Sequence, residues 1–107
     1  MRQIVETDAG PELTAALGRF SRRYCWDSNP EDAVREASRV ILRTMNIGTW
    51  EDMLELERVA GKDLLASLLG ESTAGALTPR AWSFWHYRLG LADIDRAPPA
   101  RPTRRVR

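Results

Sequence analysis

Cys25 and His86 are the residues most able to do covalent or acid–base chemistry, and each type occurs once. They stand about 60 residues apart, and nothing local to either supports a nucleophile–base dyad. A metal centre needs convergent His, Cys or carboxylate ligands, and no His-Glu-x-x-His pattern is present. His86 lies among Trp82, Phe84, Trp85 and Tyr87 and reads as a half-buried helix residue hydrogen-bonded to a neighbour. The acid pairs Glu31-Asp32 and Glu51-Asp52 fall in first turns of expected helices, where they compensate the helix dipole. No Gly-x-Gly-x-x-Gly or Gly-x-x-x-x-Gly-Lys-Ser/Thr run is present. Gly70 and Gly75 share a loop with no Lys after it and no strand before it. The chain is therefore expected to bind rather than catalyse, with no catalytic residue, cofactor or metal.

Binding requires elements that hold side chains in place, and the 107 residues suffice for one domain. Apolar residues make up 43% and charged residues 29%, an ordinary globular balance. A single cysteine excludes an internal disulfide and favours a reducing compartment. The first ten residues carry charges where a signal peptide needs an apolar stretch. The longest apolar run, residues 64–69, is about six residues against the roughly 20 that span a bilayer. The expected compartment is the cytoplasm. The net charge of +1 hides an asymmetry: residues 96–107 hold five Arg and no acid, whereas residues 1–95 hold 11 basic and 15 acidic side chains. An acidic body with a basic tail differs from a uniformly basic nucleic-acid binder.

The pattern predicts an all-α domain of about five helices over residues 1–95, followed by a disordered Arg/Pro-rich tail over 96–107. Pro11 opens a first helix through Leu13, Ala16, Leu17 and Phe20 to about Tyr24, weakened in its middle by Gly18. After the aromatic corner Tyr24-Cys25-Trp26-Asp27, Ser28 or Asn29 caps a second helix starting at Pro30. Its stripe is Val34, Ala37, Ile41 and Met45, and Asn46 or Gly48 ends it. Thr49 caps a third helix, with Asp52 completing a weak capping box and Trp50, Met53, Leu54, Leu56 and Val59 as its apolar face. Gly61 separates it from a short Leu-rich fourth helix. Thr78-Pro79 starts a fifth that stops at Gly90. Gln3-Ile4-Val5 is the only hint of a strand.

Residues 50–69 have a helix-turn-helix outline, but the second helix offers few side chains that reach base edges and the first is acidic. The fifth helix places Trp82, Phe84, Trp85 and Tyr87 within six positions. Trp82, Trp85, His86 and Leu89 share one face, with Phe84, Tyr87 and Leu91 on others. Such a helix is either central to the core or shared with a partner. The expected partner-binding set is these four aromatics, the acids Glu51, Asp52 and Glu55, and the tail arginines Arg101, Arg104, Arg105 and Arg107. The tail can fold onto an acidic patch or follow a phosphate backbone.

An order of signatures adds to this reading: Tyr24-Cys25-Trp26-Asp27; Arg39-Val40-Ile41-Leu42 leading to Gly48-Thr49-Trp50-Glu51-Asp52; Gly61-Lys62; and Leu77-Thr78-Pro79-Arg80 leading to Phe84-Trp85 and Leu89-Gly90-Leu91. Over residues 13–91 the chain resembles the short helical proteins encoded beside AbiEii-like (MenT-like) nucleotidyltransferase toxins in bacteria. Cys25 and Ala60 depart from the pattern, standing in place of an aromatic and a Tyr. The resemblance implies an antitoxin that binds a cognate nucleotidyltransferase toxin and restrains its transfer of nucleotides to RNA. The toxin would supply the nucleoside triphosphate and divalent-metal chemistry. The alternatives are a DNA-binding autoregulator acting through the tail and a helical protein-interaction adaptor.

Overall fold

Where the chain turns is set by a few capping residues, and a computed structural model describes residues 10–26, 29, 32, 35–73 and 75–102. Five helices follow in order: α1 (Gly10–Tyr24), α2 (Ala37–Ile47), α3 (Trp50–Ala60), α4 (Lys62–Gly70) and α5 (Pro79–Arg88). The fold is all-α, with no strand among the described residues. The Gln3-Ile4-Val5 segment lies outside them. No helix is long and apolar enough to cross a membrane.

The first helix passes through Gly18 unbroken because Leu13, Ala16, Leu17 and Phe20 bury one continuous face. Tertiary packing here outweighs the roughly 1 kcal/mol that glycine costs a helix. The second helix is regular only from Ala37, seven residues later than Pro30. Ahead of it, the Asp32 N–H donates to the Asn29 carbonyl at 2.8 Å and the Glu36 N–H to the Asp32 carbonyl at 2.9 Å. The chain thus turns locally before the helix begins, with the Glu36 side chain making no cap. The candidate cap Ser28, the expected first helical residue Pro30, and Val34 of the stripe lie outside the described residues; Ala37, Val40, Ile41 and Met45 are buried.

Gly48 rather than Asn46 closes α2, its N–H donating to the Thr44 carbonyl at 2.8 Å. A β-carbon at this position would sit 2.5 Å from that backbone oxygen, so the close approach admits only glycine. Thr49 then caps α3, accepting from the Asp52 N–H at 3.1 Å. The buried stripe of α3 is Asp52, Leu56 and Val59, spaced for one helix face. Trp50 and Leu54, expected on that face, turn outward, and Met53 is only partly covered. The reason is that Asp52 takes the inward position in the first turn.

The helices meet around α2, which touches all four others, while α1 packs on α2 and α3. Phe20, Ile41, Met45, Leu56, Leu65, Leu69 and Trp85 are among the fully buried side chains at the centre. The last carbonyls of a helix lack intrahelical partners. In α2 one of them, Met45, accepts from the Trp85 indole N–H at 2.8 Å, and the nearby Asn46 side chain accepts from the Thr78 N–H at 2.8 Å. The C-terminal end of α2 therefore fixes both the start and the middle of α5.

Two substitutions test this packing. Gly48→Ala should destabilise the fold by about 2 kcal/mol through overpacking against Thr44. Ser21→Ala should stabilise it by about 1 kcal/mol, because the Ser21 hydroxyl is buried without a hydrogen-bond partner among the described residues. Chemical denaturation midpoints measure both, and unchanged midpoints would contradict this account of the α1–α2–α3 packing.

Candidate functional site

Thr78 and Pro79 set the register of α5, and with it which aromatics face out. The Thr78 hydroxyl accepts from the Ala81 N–H at 3.1 Å, and Pro79 occupies the first turn. At the other end Gly90, with φ +77°, lets the Leu91 N–H reach the His86 carbonyl at 2.8 Å and its own N–H reach that of Tyr87 at 3.2 Å, a Schellman closure. In this register Trp82, Trp85 and His86 are buried and Phe84 and Tyr87 exposed, dividing the aromatics along the faces expected from helical spacing. Trp85 is wholly enclosed. The Trp82 indole N–H donates to the Pro99 carbonyl at 2.7 Å. The His86 Nδ1–H donates to the Trp82 carbonyl at 2.8 Å, and its ring packs 4.3 Å from that of Trp82. Cys25 is also buried. Among the described residues no group of three or more His, Cys, Asp or Glu side chains is placed to hold a metal ion.

The outward aromatics acquire a companion from α3. The ring of Trp50, 52% exposed, meets that of Phe84 edge-on at 6.2 Å, and Phe84 in turn meets Trp85 edge-on at 5.2 Å. Below Trp50, the Arg88 guanidinium lies 4.8 Å from the indole centre and is ion-paired with Glu57, which locks α5 beside α3. Beside this pair runs a groove of about 400 Å³ whose lining includes Met45, Ile47, Trp50, Met53, Ala81 and Phe84, with Arg80 also on it. Leu54 and Tyr87, also exposed, stand one turn along their helices from Trp50 and Phe84. The exposed apolar surface is therefore contiguous at its centre.

The three acids expected to meet a partner have different fates. Glu51 is exposed. Glu55 is engaged by Arg19 at 2.6 Å and Arg58 at 3.3 Å, so its charge is largely spent within the molecule. Asp52 is buried and receives hydrogen bonds from the Tyr24 hydroxyl and the Arg23 guanidinium. The same hydroxyl accepts from the Thr49 N–H at 3.0 Å. In a capping box the acid itself would reach back to that N–H. Here Tyr24 stands between them, an arrangement no local pattern announces because its partners are 25 and 28 residues apart. Burial alone would raise the Asp52 carboxyl. The hydrogen bonds from Tyr24 and Arg23, with the charge of Arg23, outweigh burial and hold it below the usual carboxylate range.

The tail splits in two. Residues 96–102 have a defined path against the body, although the sequence offered them almost nothing to bury. Asp93 and Arg96 exchange backbone hydrogen bonds, Pro99 accepts from Trp82, and the Arg101 guanidinium donates to the Leu77 carbonyl at 2.9 Å. Polar contacts to backbone carbonyls, rather than apolar burial, hold this stretch. Arg104, Arg105 and Arg107 lie outside the described residues.

The Asp52 cluster has a signed pH dependence. A carboxyl held below its ordinary value stabilises the fold fully above about pH 4, and that contribution is lost as pH falls through the lowered value. Asp52→Asn should cost about 1.5–3 kcal/mol at neutral pH and flatten the acid limb of the stability curve. Tyr24→Phe removes a donor to the carboxylate and should move acid unfolding to higher pH. Circular dichroism of acid titrations measures both. An acid transition that is unmoved in Tyr24→Phe contradicts the cluster.

Set beside known proteins, the chain gives no significant match to any family model, curated protein or solved structure.

Proposed function

We propose that this protein works by binding a protein partner through the α3–α5 surface, and that the partner is a nucleotidyltransferase-type toxin which it neutralises as an antitoxin. The observation that carries the binding role is the Trp50–Phe84 pair, exposed beside an apolar groove and extended by Leu54 and Tyr87. Single exposed apolar residues are ordinary on a soluble protein, but a contiguous aromatic patch marks an interaction site. Trp and Tyr are favoured anchors because they bury large area at little entropic cost. The Arg88–Glu57 pair beneath Trp50 holds the patch ready, which lowers the ordering cost of association.

The identity of the partner rests on the ordered signatures over residues 13–91 that resemble the antitoxin-like proteins. Several of these signatures are also the residues that build the surface: Gly48-Thr49-Trp50 sets the turn and cap that project Trp50, and Thr78-Pro79 sets the register that projects Phe84. An RNA-handling enzyme presents a basic groove. The exposed Glu51, next to Trp50, offers it a complementary charge at the rim, where charges steer encounter more than they add affinity.

Co-expression with the product of the adjacent gene, pull-down on a tag and growth with and without this chain test the proposal. The expected result is a stable complex and relief of toxicity. Trp50→Ala/Phe84→Ala should remain helical and weaken the complex by about 2 kcal/mol or more, roughly thirtyfold. No complex and no rescue removes the toxin. A complex whose affinity the double variant leaves unchanged removes the α3–α5 surface.

A further inference from the structure

A second surface lies at the corner where α1 meets α2, and the antitoxin reading makes no use of it. Trp26 is 72% exposed, more than any other aromatic described. The guanidinium of Arg43 lies 5.7 Å from the centre of its ring, and the same guanidinium donates to the Tyr24 carbonyl at 3.3 Å. That second contact anchors Arg43, so the indole is held on one side and open to solvent on the other. The pair borders a cleft of about 560 Å³ that also includes Arg39, Asn46, Thr73 and the Gly75 backbone. Leu42, Ile47 and Ala76 complete its described lining, and Glu36, outside that lining, pairs with Arg39 at 3.2 Å while 40% of the Arg39 side chain stays exposed. Its size falls within the roughly 300–1,000 Å³ of small-ligand sites.

We infer that this cleft binds single-stranded nucleic acid, with a base stacked on the open face of Trp26 and the backbone phosphates met by Arg39 and Arg43. An aromatic platform beside guanidinium groups is the combination such ligands require. Every base has a π-face to stack, and every nucleotide brings one negative charge. A duplex offers the charge but keeps its bases stacked on each other, so it leaves the indole unused. The path of the tail adds to the same region. Arg101 is tied to the Leu77 carbonyl, next to Ala76 on the wall of the cleft. The site does not depend on the toxin partner, and either reading can fail without the other.

The test is fluorescence anisotropy of the full chain with labelled single-stranded RNA and DNA of mixed sequence, roughly 12 nucleotides long, and with the matching duplexes. Both single strands or either one should bind more tightly than duplex, and affinity should fall steeply with salt. Trp26→Ala should weaken binding about tenfold, Trp26→Phe should retain most of it, and Arg39→Glu should weaken it further. Circular dichroism should show each variant helical, since Trp26 is exposed and Arg39 sits at the surface. Absence of binding overturns the inference, as does a preference for duplex. So does unchanged affinity in Trp26→Ala, and loss of all binding in a chain ending at Pro102 would then assign the binding to the tail charge alone.

Discussion

A carboxylate removed from water must be answered by hydrogen bonds and opposite charge, and the start of α3 places Asp52 in that position. Tyr24 and Arg23, consecutive at the end of α1, answer it from one helix turn. Because the Tyr24 hydroxyl also accepts from the Thr49 N–H, the end of α1 cannot move relative to the cap of α3 without stranding a buried charge. The Tyr24 carbonyl, meanwhile, holds Arg43 of α2. Three helices are thus referenced to one residue. Apolar burial supplies the drive to fold, but it is indifferent to small slides between helices; this cluster is not. Register along α3 follows from it, and the outward direction of Trp50 follows from register.

Both proposed binding surfaces descend from that arrangement. The turn that buries Asp52 exposes Trp50, and the corner that positions Tyr24 leaves Trp26 at the surface two residues later. The end of α2 lies between them: Asn46 and Ile47 border the apolar groove on one side and the basic cleft on the other. Their chemistry is opposed. One side offers aromatic and aliphatic area suited to a protein partner, and the other offers an indole flanked by guanidinium groups. A single short helix thereby borders both proposed sites.

Local signals made much of the fold legible. Thr49, Gly61, Thr78-Pro79 and Gly90 each carry their meaning in one or two residues, and the structure puts helix boundaries at each. The division of α5 into an inward face of Trp82, Trp85 and His86 and an outward face of Phe84 and Tyr87 also follows from spacing alone. The start of α2 at Ala37 did not, because the backbone bonds from Asp32 to Asn29 and from Glu36 to Asp32 close single turns ahead of the regular helix. Nor did the burial of Asp52, whose partners come from another helix; an acid in a first turn reads locally as dipole compensation. The path of residues 96–102 was hidden for a related reason. It depends on carbonyls at Leu77 and Pro99 and on an indole N–H, and no hydropathy pattern records them.

Four tryptophans are distributed so that two are enclosed and two are open. Trp82 and Trp85 are buried and donate to backbone carbonyls, while Trp50 and Trp26 face solvent at two separate surfaces. The molecule thereby carries its own optical labels. Emission from the interior pair reports whether the helices are assembled, and quenching of the exposed pair reports contact at the groove or at the corner. Replacing either exposed indole with phenylalanine silences one channel and leaves the other readable, so occupancy of the two surfaces can be followed separately without any attached dye.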